Sequence, residues 1–432
     1  MPRVRPFRAW TYARSDADIS TLCAPPYDVI SEEQRNELLS RDSHNVVALE
    51  LPEGPLDPEI PGNRYETGAV RWTEWQEQGV LVRDAEPTLY VLEQRYTLDG
   101  APIHRRAFIA EVKLHAFDEG IVLPHERTLP KALGDRYRLT EATAANLSQV
   151  FGLYQDPDKT TDTVFERAMK DEPVMRATDA DGVESVVWAV TDPDLIATLT
   201  ESLADSRVFI ADGHHRYTVA LAYRDRRREA DAAAERMPGD PDYDYVMMAL
   251  VNMDDPDLVV LPTHRVADAP EDLGPSAFYE ALAAHFVISD PGPGDPILAL
   301  DGHDRPAFLI KTRADTGPRL AVLREDVDLD TAIPAQRSRA WKELDVTVLL
   351  ELVLDPMLDI HPDRPETLER LHFVKDAREA LALADDHDAV FVLRPTRMDQ
   401  MRAVSLAGDV MPQKSTYFYP KLLSGLVLRG MD

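Results

Sequence analysis

Hydrophobic residues in this chain fall mostly into short runs with the length and β-branched content of strands, broken by proline, glycine and aspartate. Such runs lie at Glu184–Ala189, Val208–Ala211, Tyr245–Met253, Ile297–Leu300, Ala307–Lys311, Leu320–Leu323 and Ala389–Leu393. Val4–Tyr12, with Pro6, Phe7 and Trp10, reads as a first strand or extended arm. Thr88–Thr97 and Arg105–His115 flank Asp99-Gly100, a hairpin signal. Between these runs the spacing becomes helical. A helix is predicted to start after Ser31, which caps with Glu32, Glu33 and Gln34 behind it. Others are predicted at Tyr65–Gln78, from Asp192-Pro193 through Ser202, from His214, near Ala277–His285, at Asp345–Leu354 ending at Pro356, and at Thr396–Leu406 with Thr396 as cap and Gly408 as stop.

Interleaved strands and helices of this kind predict an α+β (mixed α/β) protein. Residues 53–63 read as a loop and Pro238–Asp242 as a linker, so two domains are expected, 1–235 and 243–432. At 432 residues the chain is long enough for an ample core in each. No repeat and no low-complexity segment occurs.

Charge narrows the function classes. The formal net charge is −30, which argues against a general nucleic-acid binder, since that needs a basic face. No apolar run is long enough to cross a bilayer, and MPRVRPFRAW lacks the apolar segment of a signal peptide. One cysteine, Cys23, rules out an intrachain disulfide framework and a cysteine-based zinc site. A soluble cytoplasmic protein is the expectation. An anionic substrate would need a local basic pocket to overcome the overall field.

The stretch VFIADGHHRYTVAL, Val208–Leu221, supplies that pocket in sequence. A strand ends at Asp212, Gly213 makes a tight turn, and His214, His215 and Arg216 open a helix. The first N–H groups of a helix have no intrahelical partner and carry partial positive charge, so the position favours an anion, phosphate above all. Gly213 lets the backbone approach such a ligand. Three further stretches carry candidate chemistry. Ala24-Pro25-Pro26 stiffens the path that holds Tyr27 and Asp28, a positioned carboxylate or an ordinary turn residue. His125-Glu126-Arg127-Thr128 lies in a loop between prolines, followed by Lys131, Asp135, Arg136 and Arg138, with Asn146, Ser148 and Gln149 beyond; together they read as a polar cleft wall. Near the C-terminus, Lys414 and Lys421 flank a hydroxyl-rich and aromatic stretch, although the whole chain has nine lysines. These two lysines are expected to reach the same cleft.

Phosphate-loop, dinucleotide, nucleophile-elbow and zinc-helix motifs are missing. His125, His214, His215 and His264 fit no metal-ligand spacing, so no metal site is assigned.

In order along the chain, APPYDVIS, HERT, ADGHHRY, LPTHR and MPQKSTYFYPK resemble a prokaryotic domain-of-unknown-function family, number 1015. ADGHHRY and MPQKSTYFYPK are its specific signatures, and the resemblance spans essentially the whole chain. More distantly, the DGHHR element is similar to the phosphate-binding motif of the ParB/sulfiredoxin superfamily, which includes free-serine kinases. That resemblance implies a ParB/sulfiredoxin-like module with an inserted hairpin region, followed by a second α+β domain. It implies that Gly213, His214, His215 and Arg216 bind phosphate, that Asp212 supports metal or substrate, and that Asp28 or Glu126 is the base. His125, Arg127, Lys414 and Lys421 are candidates for further phosphate or nucleotide contacts. The implied activity is phosphoryl transfer to a small hydroxylated metabolite, free L-serine first, from ADP, ATP or pyrophosphate with Mg²⁺. The same site run with water would be a phosphatase, and a non-catalytic nucleotide-binding regulator is the other alternative.

Overall fold

The computed structural model describes every residue except 15–16, 128–129, 205, 237–238, 271–273 and 432, together with the side chains of 130–132. Thr128 and Pro238, both part of stretches singled out above, and the Lys131 side chain thus lie outside the described residues. The protein is α+β. It divides into two compact units: residues 1–124, 128–259 and 420–432 form the first, and residues 125–127 and 260–419 the second.

The first unit is built on a nine-stranded mixed sheet. Its order is Val122–Leu123, Val208–Asp212, Val150–Tyr154, Tyr245–Asn252, Ala101–Lys113, Leu89–Leu98, Glu184–Val190 and Met175–Thr178, with Val4–Arg5 paired to Ala101–Lys113. Tyr245–Asn252 is buried along its whole length because strands flank it on both edges, one parallel and one antiparallel. This is the strand type that reads as a continuous apolar run. The division expected at 235–243 therefore falls inside the first unit. The Tyr245 strand lies between Val150–Tyr154 and Ala101–Lys113, and the chain passes to the second unit only after Val259. The hairpin turn has Asp99 at φ 50° and Gly100 at φ 81°, the left-handed pair that matches strand twist in a two-residue loop. The arm Val4–Tyr12 breaks into two short strands, Val4–Arg5 and Trp10–Tyr12, around Pro6. Ser31 caps Glu32–Arg41 reciprocally with Gln34, and Asp192 caps Pro193–Ser202.

The C-terminal residues 420–432 return to the first unit. Arg429 is almost fully buried there and donates to Glu111, to Asn146 Oδ1 at 3.0 Å, and to the carbonyls of Tyr245 at 3.0 Å and Asp242 at 2.6 Å. Glu111 also accepts from Arg5, whose guanidinium lies 3.7 Å from the Tyr245 ring centre.

The second unit carries a six-stranded antiparallel sheet ordered Phe286–Ser289, Arg319–Leu323, Ala307–Thr312, Ala389–Leu393, His264–Ala267 and Leu371–Val374. Val266, Leu309, Val390 and Val392 pack with Ala380 and Ala384 in its core. Three local expectations are corrected here. Ile297–Leu300 is not a strand: after the proline- and glycine-rich loop, Asp295 accepts the Ile297 N–H at 3.1 Å and starts a turn that runs into a 3₁₀ helix at Leu298–Gly302. The Asp345 helix does not stop at Pro356. It widens to a π turn at Leu350–Leu354, just before the residue that cannot donate, and resumes as Asp355–Leu358. Thr396 is not the helix cap: its hydroxyl donates to the Ser415 carbonyl at 2.8 Å, and the helix Met398–Leu406 begins after Arg397.

Substituting Arg429→Met leaves the carbonyls of Tyr245 and Asp242 and Asn146 short of a donor, with Arg5 alone on Glu111. A loss of about 3 kcal/mol is expected, the scale of breaking a buried ion pair, read as a lower urea midpoint by circular dichroism. A midpoint equal to wild type would show that the C-terminal segment is not held by this residue.

Candidate functional site

The strand Val208–Asp212 and the helix His214–Ala233 meet at Gly213, which has φ +86°. A side chain there is strained by the backbone and would force the Arg216 guanidinium to shift. The backbone angle is one that L-residues rarely adopt, and a Cβ would lie 2.9 Å from Arg216 Nε. His214 is buried at the first helical position, while His215 and Arg216 are half-buried. The first intrahelical hydrogen bond runs from the Tyr217 N–H to the Gly213 carbonyl at 3.0 Å, so the turn His214–Arg216 is the cationic, N–H-bearing end of a 20-residue helix.

Asp212 is the electrostatic centre of this end. Arg216 Nη2 donates to its Oδ2 at 3.0 Å and Lys421 Nζ to its Oδ1 at 3.0 Å. Burial alone would raise the carboxyl above its ordinary 3.8, but Lys421 and Arg216 outweigh burial and hold it at about 2. Lys421 is itself placed by a buried layer. Gln94 donates to the Lys421 carbonyl at 3.1 Å, and Arg105, 1% exposed, donates to Gln94 at 3.1 Å and to the Pro420 carbonyl at 2.5 Å. Burial lowers the Arg105 guanidinium to about 10.

Arg216 also donates to the Gln149 carbonyl, and its charge reaches Tyr27. Burial pushes the Tyr27 hydroxyl up to about 12 against the pull of Arg136 and Arg216, and the Arg136 guanidinium stacks 4.3 Å from the Tyr27 ring centre. Ala24 and Ser424 exchange backbone hydrogen bonds at 3.2 and 2.8 Å. The APPYDVIS stretch, the DGHHR turn and the C-terminal segment thus converge in the first unit. Asp28 is exposed in the 3₁₀ turn Tyr27–Val29, and its carboxylate has no hydrogen bond among the described residues. Arg136, Asn146, Ser148 and Arg216 line one pocket together with Glu50.

Glu50 and Arg105 are the residues that motif reading misses. Glu50 is 4% exposed, takes Arg136 Nη1 on Oε2 at 3.4 Å and on its carbonyl at 2.8 Å, and leaves Oε1 without a hydrogen-bond partner among the described residues. The signal was a lone carboxylate in the apolar run Val46–Leu51. Arg105 had a comparable signal, a charge inside the apolar strand of a hairpin.

His125, Glu126, Arg127, His264 and Lys414 belong to the second unit. His125 is buried, its Nε2 2.9 Å from the Thr416 hydroxyl and its ring edge-on to Phe418. Half-buried Glu126 accepts the Lys414 N–H at 3.3 Å. Exposed Arg127 lies 3.6 Å from Asp363, and the exposed Lys414 has φ +57°. Arg265 of LPTHR donates to the carbonyls of Gln413 and Lys414 at 3.2 and 3.0 Å. His125, Glu126, Arg265 of LPTHR and the start of MPQKSTYFYPK thus form a second cluster. His264 is structural: Nδ1 accepts the Leu393 N–H at 3.2 Å, and burial lowers the ring to about 4. Burial raises the Cys23 thiol far out of the nucleophilic range.

Fold and site together define an α+β protein with a glycine-turned, cation-rich helix terminus built around one anchored carboxylate. The chain belongs to the family described as "Protein of unknown function (DUF1015)", whose model matches residues 4–347. No curated protein matches it. Similar solved structures include a mutant free serine kinase in complex with ADP, at 12% identity and TM-score 0.35 over 72% of this chain and 86% of that one. A conserved hypothetical protein from Pyrococcus furiosus matches at 12% and 0.33 over 73% and 93%. SbnI with C-terminal truncation, from Staphylococcus aureus, matches at 10% and 0.34 over 73% and 85%. Likeness at this level carries no activity across. Among the described residues, no helix is long and apolar enough to cross a membrane.

The Asp212 anchor makes a pH prediction. Its folded-state value lies below that of the unfolded chain, so its contribution is complete above pH ~4 and is lost as pH falls toward 2. The difference between 3.8 and about 2 corresponds to about 2 kcal/mol. Asp212→Asn is expected to lower neutral-pH stability by that order and to flatten the wild-type decline below pH ~4, measured as urea midpoints across pH. Parallel curves for both proteins would refute the anchor.

Proposed function

We propose that this protein is a phosphotransferase acting on a small hydroxylated metabolite, with free L-serine the first candidate and ADP, ATP or pyrophosphate the donor. The observation that carries the reading is the DGHHR helix terminus, where Arg216 and Lys421 converge on Asp212 beside the helix N–H groups. Phosphoryl transfer asks a protein for positioning and charge neutralisation more than for covalent chemistry. Backbone N–H groups, His214, His215 and Arg216 are suited to hold phosphate oxygens whose charge grows in the transition state. Asp212 fits the role of orienting Arg216 and Lys421. Held near 2, it is a poor proton acceptor at neutral pH.

Mg²⁺ fits this site only in company with phosphate. Both Asp212 oxygens are engaged by cations, so no preformed carboxylate cage is offered here, and Mg²⁺ commonly enters on substrate phosphates with few protein ligands. When bound, it would neutralise phosphate charge. The proton of the acceptor hydroxyl would pass to one of two carboxylates, Asp28 or Glu126.

Phosphorus NMR with serine, Mg²⁺ and each donor in turn is expected to show phosphoserine. Arg216→Ala and Lys421→Met should lower kcat/KM by about 10²–10³. Asp28→Asn and Glu126→Gln separate the base: one should abolish turnover while nucleotide still binds, and the other should stay within a few-fold of wild type. Phosphoserine hydrolysis without transfer would turn the reading to a phosphatase. Tight nucleotide binding with no turnover of either kind would turn it to a regulator.

A further inference from the structure

The geometry points to a divalent transition-metal site, zinc in the first instance, at Asp268, His372 and His387 in the second unit. One ligand atom from each of these residues lies within 4.8 Å of the others. They come from three neighbouring strands of the antiparallel sheet. Asp268 directly follows His264–Ala267, His372 lies in Leu371–Val374, and His387 comes just before Ala389–Leu393. Ala267 pairs with both Leu371 and Ala389, which fixes all three residues at one end of the sheet.

The distances suit a metal. Two ligand atoms each 2.0–2.1 Å from a tetrahedral zinc stand about 3.3 Å apart. Nδ1 of His387 already lies 3.1 and 3.0 Å from the two Asp268 oxygens, and the two imidazole centres are 5.4 Å apart. Insertion asks that pair to open by only a few tenths of an ångström. His372 is exposed, so its ring can swing the remaining distance by side-chain rotation. Asp268 is held from behind: the Asp388 N–H donates to Oδ1 at 3.3 Å, and the Asp268 N–H donates to the Arg370 carbonyl at 3.0 Å. Outer hydrogen bonds of this sort orient ligands around a metal. Two imidazoles and one carboxylate form a borderline donor set that suits zinc, and poorly suits Mg²⁺ or Ca²⁺. Three protein ligands leave a position for water.

Chelator-stripped full-length protein titrated with Zn²⁺ by calorimetry is expected to bind one ion at this site and to gain thermal stability. His372→Ala/His387→Ala should lose that ion, and His372→Ala alone should weaken it by more than about tenfold, the scale seen when even an outer-shell partner is removed. Excess Mg²⁺ should not compete. Imidazole proton NMR of the wild type gives a readout independent of variant folding: signals of His372 and His387 should shift with Zn²⁺. No Zn²⁺ uptake, uptake unchanged in the double variant, or shifts confined to other histidines would each overturn the site.

Discussion

The first unit depends on one carboxylate held between two cations. Asp212 receives Arg216 from the helix that follows it and Lys421 from 209 residues further along the chain. The first contact is local and ties the turn to its own helix. The second closes a very long loop, and the ordering it requires is borne by other contacts of the same segment: the Gln94–Arg105 layer beneath Pro420 and Lys421, and the Arg429–Glu111 pair further on. Removing the charge from Asp212 would therefore affect both the helix terminus and the seating of the C-terminal segment.

Burial and charge work against each other around this carboxylate, and charge wins. Burial would favour a neutral acid, yet two cations within hydrogen-bonding distance keep it ionised. An anchored anion near 2 orients cations well and accepts protons badly. Glu50 is buried beside Arg136, one oxygen without a hydrogen-bond partner among the described residues, in the pocket that Arg216 also lines. Such a polar pocket, rimmed by both signs of charge, is how a chain with net charge −30 can still present a local surface to an anion.

Much of this was legible in the sequence. The strand–glycine–helix element was set by the apolar run Val208–Ala211, by Asp212-Gly213 and by the periodicity from Tyr217 onward. The Asp99-Gly100 hairpin, the Ser31 cap and the Asp192-Pro193 start are likewise local, since each rests on interactions within a few residues. The misreadings have several causes: Ile297–Leu300 was turned by a local Asp295 contact, and elsewhere the surrounding structure overrode a local preference. Thr396 had the chemistry of a cap and spent its hydroxyl on Ser415. Pro356 should have ended a helix, but a π turn among buried leucines carried the chain past it. Tyr245–Asn252 followed a linker-like stretch, yet it belongs to the first sheet because both of its edges were taken there.

Site residues divide in the same way. From spacing and residue type alone the sequence determined that a cationic helix terminus follows a glycine turn at 213, because backbone geometry and helix electrostatics act over single turns. Composition pointed Lys421 toward this cleft, but it could not determine that Asp212 would be its partner, that Arg105 would be buried to hold Pro420, or that Asp268, His372 and His387 would gather at one end of a sheet. Those outcomes were decided by strand order and by the return of residues 420–432 to the first unit. Contacts between residues hundreds of positions apart leave no periodic trace in the chain, and only the tertiary structure brings them within bonding distance.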